Sequence, residues 1–195
     1  GERYENVANN TVIDKSGVLI GSLWQKKIKI KVKEENIWLQ LDVNQIGESE
    51  IIIEKDPNYP NTCVYFVIPG NKNVQILKSI VMTSETKSKL EDENSVFYVG
   101  NRDNTAQALT KGQEVYWLLN DGSLLDITGS AGAGSTIEGY IYGPKATVKS
   151  DNKGAYTTHY TLNGKTNDDN LREISPHIIG AVVAQKVNIS NEGGI

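Results

Sequence analysis

The sequence predicts an all-β protein, a short parallel β-helix (β-solenoid) with a long polar loop inserted near its C-terminal end. Three observations lead there. Short apolar-alternating runs recur at roughly ten-residue spacing with turn residues between them. Long stretches lack the helical period. One strand-corner-strand phrase occurs twice. Gly139 to Ser150 reads Gly-Tyr-Ile-Tyr-Gly-Pro-Lys-Ala-Thr-Val-Lys-Ser. Gly180 to Asn191 reads Gly-Ala-Val-Val-Ala-Gln-Lys-Val-Asn-Ile-Ser-Asn, offset by 41 residues without a gap.

In that alignment Gly139 matches Gly180, Ile141 matches Val182, Lys145 matches Lys186 and Val148 matches Ile189. The apolar parity changes across the corner, as it does when a strand bends and its inward face is reset. A unit of this shape cannot bury its inner face alone and must stack on a copy of itself. A β-sandwich shares the strand spacing, and two unrelated hairpin fragments are the competing reading of the pair.

In chain order, residues 1–10 are polar and read as a linker or the start of an excised segment. Residues 11–195 read as one domain, with 151–176 as its loop insert. Val12-Ile13 and Val18-Leu19-Ile20 flank a turn. Lys27 to Lys33 alternates cleanly, with Ile28, Ile30 and Val32 facing in and the lysines facing out. Ile37 to Val43 repeats the pattern. Ile51 to Ile53, Val64 to Ile68, Val74 to Ile76 and Ile80 to Met82 continue the series, bounded by Asp56-Pro57 and Pro69-Gly70. Ser84 to Glu93 is the one candidate helix. Its single apolar residue, Leu90, marks it as a solvated excursion that does not dock firmly. Val96 to Val99 re-enters the core. Val115 to Leu119, Asn120-Asp121-Gly122 and Leu124 to Ile127 form the best local hairpin signal, although a solenoid corner uses the same residues.

Composition narrows the function classes. A net charge of −4 argues against nucleic acid. No run approaches the length of a membrane span. The one cysteine, Cys63, excludes an internal disulfide and reads as an inert thiol buried in a strand. No cofactor and no metal is expected.

Each chemical candidate stands beside a plainer reading. Lys27, Lys29, Lys31 and Lys33 could bind an anionic polymer such as teichoic acid. A solvated strand face, with lysine discouraging edge-to-edge pairing, explains them as well and is preferred. Tyr156, His159 and Tyr160 in the insert could contact a partner or a sugar. Gly129 to Gly134 lacks the Gly-Lys-Ser/Thr of a phosphate loop. Asn163 to Asn170 lacks the spacing of a calcium loop. His159 and His177 have no paired motif, and no serine sits in a nucleophile elbow. Polysaccharide-cleaving chemistry needs clustered carboxylates, and none falls on one strand face. The chain is therefore not expected to be an enzyme.

The phrases at Gly139–Ser150 and Gly180–Asn191, with the closing Gly193-Gly194-Ile195, resemble the C-terminal domain of PilX-type prepilin-like proteins. These are minor components of type IV pilus systems, including those of clostridia. The resemblance covers roughly residues 124–195, and the polar insert is longer than the family pattern. It implies a structural role at the cell surface of a Gram-positive bacterium, in or on an extracellular pilus. Partners would be other pilins or tip subunits, reached through an N-terminal hydrophobic helix absent from this sequence. That helix would be the only membrane contact. A host or cell-wall glycan is a further partner. Gly139, Ile141, Val148, Gly180, Val182 and Ile189 would be structural repeat positions. Three alternatives remain open: a secreted adhesin or carbohydrate-binding module, a bactofilin-like self-polymerising scaffold, and, last, a glycan-cleaving β-helix enzyme.

Overall fold

The structure, a computed structural model, describes residues 1–91, 115–128, 135–151 and 178–190. The strands are β1 (Glu2–Glu5), β2 (Val12–Ile13), β3 (Gly17–Trp24), β4 (Lys27–Val32), β5 (Ile37–Gly47), β6 (Glu50–Lys55), β7 (Val64–Ile68), β8 (Asn73–Leu77) and β9 (Ile80–Thr83). A helix, α1 (Ser84–Glu91), follows. Then come β10 (Val115–Leu119), β11 (Leu124–Thr128), β12 (Thr136–Asp151) and β13 (Ile178–Ser190). The protein is all-β, as expected. Among the described residues every strand pairing is parallel, so neither a hairpin nor an antiparallel sandwich is present.

The pairings fall into three ladders, which the chain visits in turn. The first runs β1–β3–β5–β7–β10–β12–β13. The second runs through the ends of β3 and β5, then β8, β11, β12 and β13. The third runs β2–β4–β6–β9–β12–β13. One passage through the ladders makes a rung, and like positions of successive rungs lie over one another. Period-2 alternation therefore turns into continuous apolar columns. Leu39 pairs with Phe66, Phe66 with Trp117 and Trp117 with Ile141, all essentially solvent-free. The Phe66 and Trp117 rings lie 4.4 Å apart. Ile28, Ile30 and Val32 face inward as the alternation requires.

Corners are made by single residues in the left-handed region. Asn6 (φ 49°), Asn71 (φ 58°) and Gly122 (φ 75°) suit that conformation. Gln25 (φ 53°), Glu48 (φ 45°) and Lys78 (φ 48°) do not, and each costs about 1–3 kcal/mol. The cost is offset because the turn keeps each N–H aimed at the next rung. Gln25 N–H donates to Gly47 O (3.0 Å), Glu48 N–H to Leu77 O (2.9 Å) and Lys78 N–H to Thr128 O (3.2 Å). Beside these residues runs a column of buried serines. Lys26 N–H donates to Ser49 Oγ, Ser49 N–H to Ser79 Oγ and Ser79 N–H to Ser135 Oγ, each at 3.0 Å.

Several expectations need correction. Residues 2–5 are not a linker: they pair with Gly17–Ile20, because Tyr4 packs against the core and its hydroxyl donates to Lys15 O at 2.7 Å. Asp121-Gly122 is a corner, since β10 and β11 pair with neighbouring rungs and not with each other. Cys63 is half-buried just before β7, with its Sγ 3.7 Å from Asn61 O, and is not in the core. Helix α1 does dock, through polar groups. Thr83 and Thr86 hydroxyls donate to the buried Glu138 carboxylate at 2.9 and 2.6 Å, and Lys87 Nζ reaches Glu50 at 2.6 Å. The gapless repeat holds only as far as the corner. Gly139 pairs with Gly180 and Ile141 with Val182, but beyond it Val148 pairs with Val187 and Ser150 with Ile189. The corner after Gly143 is longer than the one after Ala184, with Ala146 buried inside it. The expected segments at 96–99, 129–134 and most of 151–176 lie outside the described residues.

Candidate functional site: an aromatic row on the first ladder

Four strands of the first ladder carry the same local pattern, an outward aromatic between two inward residues. They are Ile37-Trp38-Leu39, Val64-Tyr65-Phe66, Val115-Tyr116-Trp117 and Gly139-Tyr140-Ile141. Parallel register sets Trp38 on Tyr65, Tyr65 on Tyr116 and Tyr116 on Tyr140. Strands lie about 4.8 Å apart, a spacing that suits stacked rings. Centroid separations are 3.9, 5.1 and 5.9 Å, and interplanar angles open from 8° through 15° to 32°.

The row ends in small residues. Ser16 occupies the register position beside Trp38, one residue before the Gly17–Leu39 pair. Ala181 lies opposite Tyr140. Trp38 is 45% exposed. Its backbone N–H donates to Ser16 Oγ at 2.8 Å, and the Ser16 hydroxyl donates to Asn36 O at 3.4 Å, which holds the start of β5 in place. Two residues along the same face runs a second column, Val67, Leu118, Tyr142 and Val183. Its last two members are exposed.

Burial, with a contribution from the Cys63 thiol, lifts the Tyr65 phenol above its ordinary value of 10.0. Tyr116 is raised in the same way, burial first, then Cys63 and the neighbouring tyrosines. Neutral phenols suit a stack whose faces are filled by other rings. Such an array offers ring edges and end faces to a ligand.

The structure does not gather the sequence-predicted candidates into one site. Lys27, Lys29 and Lys31 lie on β4 opposite Glu50, Ile52 and Glu54 of β6. Lys29 Nζ is 3.1 Å from Glu54. Lys33 is exposed beyond the strand. The row is therefore matched by carboxylates and forms no bare cationic strip. Tyr156, His159 and Tyr160 lie outside the described residues. Gly139, Ile141, Gly180 and Val182 hold the β12–β13 pair together. Among the described residues no three His, Cys, Asp or Glu side chains group as a metal site. Among them also, no helix is long and apolar enough to cross a membrane.

Sequence reasoning missed the aromatic row. Its signal was present in the shared apolar-aromatic-apolar opening of four strands, hidden by unequal spacing between rungs. No family model matches the chain, and no curated protein or solved structure matches it either.

Proposed function

We propose that the chain is a β-solenoid serving as the displayed, non-catalytic part of a pilus-like surface filament, in the manner of a minor pilin. The supporting observation is the in-register pairing of residues 137–143 with 178–184. It stacks the two phrases that carry the family resemblance on one another, as a coiled repeat requires. Filament assembly would run through an N-terminal hydrophobic helix outside this sequence. Mass spectrometry of the native N-terminus tests the reading. A processed end opening a long hydrophobic helix supports it, and an ordinary cleaved secretion signal sinks it.

The aromatic row favours a second reading, a surface adhesin or carbohydrate-binding module. Solvent-facing aromatic side chains on a rigid sheet lose little entropy on binding. Binding of the isolated domain to cell-wall glycans tests it.

A further inference from the structure

We propose that the outer face of Trp38 is a stacking subsite for one neutral pyranose ring of a glycan. The proposal rests on the adhesin reading and locates its contact point. Trp38 lies 3.9 Å from Tyr65 at 8°, so one face of the indole is filled. The opposite face looks toward β3, where the register position is Ser16 and the aromatic row stops. Tyr65 and Tyr116 sit inside the row with neighbours on both sides. A flat ring entering the row from this end therefore meets Trp38 and no other member.

The chemistry around that face suits a sugar. The face of an aromatic ring is electron-rich, and the axial C–H hydrogens of a pyranose carry the complementary partial charge. Gln40 stands two residues along β5 from Trp38, exposed and on the same face of the strand; Asn36, also exposed, immediately precedes β5. Asn36 Oδ1 accepts the Cys63 N–H at 2.9 Å, which leaves the Asn36 amide hydrogens for a hydroxyl. Arg3, on the neighbouring column, is tied to Glu5 at 3.1 Å, so a neutral sugar is favoured over an acidic one. An apolar protein side chain could cover the indole but would leave the two amides unpaired, a poorer exchange.

The test is saturation-transfer NMR with the methyl glycosides of glucose, galactose and N-acetylglucosamine and their linear oligomers. Wild type is compared with Trp38→Ala, Trp38→Leu and Trp24→Ala. Trp38→Leu keeps apolar bulk on the stack while removing the flat face. The expected result is roughly tenfold weaker binding in both Trp38 variants, the size of one lost aromatic contact, with Trp24→Ala unchanged. Undiminished binding in folded Trp38 variants would overturn the subsite while leaving the adhesin reading intact. Absence of any glycan signal with wild type would overturn both. A concentration-dependent dimer that Trp38→Leu abolishes would overturn the proposal in favour of a second copy as occupant.

Discussion

Ser79 Oγ accepts the backbone N–H of Ser49 at 3.0 Å and directs its own proton to Leu77 O (2.8 Å) or Ile46 O (3.1 Å). One hydroxyl thus serves two rungs in a place where water does not reach, since Ser79 is fully buried. Ser79→Ala strands the Ser49 N–H and should cost about 1–3 kcal/mol. Urea unfolding checks this: the midpoint should fall while the slope stays constant. An unmoved midpoint would mean that the serine column does not hold the corners.

Gly139 and Gly180 are stacked partners with φ of 143° and 154°, a region closed to side chains. A Cβ on Gly139 would come within 2.8 Å of Trp117 Cδ1 and Val115 O; one on Gly180 would overlap the Gly139 carbonyl. Gly139→Ala should destabilise the whole protein by roughly 2–3 kcal/mol. Gly180→Ala should instead lift β13 from β12. Hydrogen exchange separates the two, with fast exchange confined to residues 178–184 in the second variant.

The hold on helix α1 is polar, so it should fail on removal of one hydroxyl. Thr86→Val keeps the shape and deletes a donor to the buried Glu138 carboxylate, worth about 1–3 kcal/mol of local stability. Limited proteolysis within Ser84–Glu91 should quicken while the core melts as before. Unchanged cleavage would show that the helix is held by other means.

Tyr65 and Tyr116 define an alkaline limit. Their folded pKa values lie above the ordinary phenol value of 10.0, so folding favours the neutral phenol. That contribution is fully present below pH 10 and is lost as pH climbs through the raised values. Tyr4 and Tyr59 are raised as well, so tyrosinate absorbance should show a late-titrating fraction that shrinks, without vanishing, in Tyr65→Phe/Tyr116→Phe, and thermal stability should decline over the same window. Simultaneous titration of all tyrosines near the free value would contradict the half-buried stack.

Much of the fold was legible because alternation is local. Lys27 to Val32 and Ile37 to Val43 announce their inward faces residue by residue. Relations between rungs were less legible, because rungs differ in length. Constant spacing sets Val148 against Ile189, but two corners of unequal size move the pairing to Val187. The aromatic row was hidden for the same reason. Corner residues such as Glu48 and Lys78 carry no turn signature: long-range hydrogen bonds override their local preference. The docking of α1 depends on Glu138, which is remote in sequence, so the helix looked solvated.

The three parallel ladders also have a mechanical direction. Hydrogen bonds between rungs lie along the line of the ladders and run in both senses, as Gln25 N–H to Gly47 O and Asn120 N–H to Ile68 O do, so tension applied along that line pulls each bond lengthwise. It opens one rung at a time at modest force. Tension applied along a strand must shear a whole ladder at once and meets far greater resistance. A molecule of this kind is tough in one direction and unzips in another, and the point at which it is tethered decides which property is used.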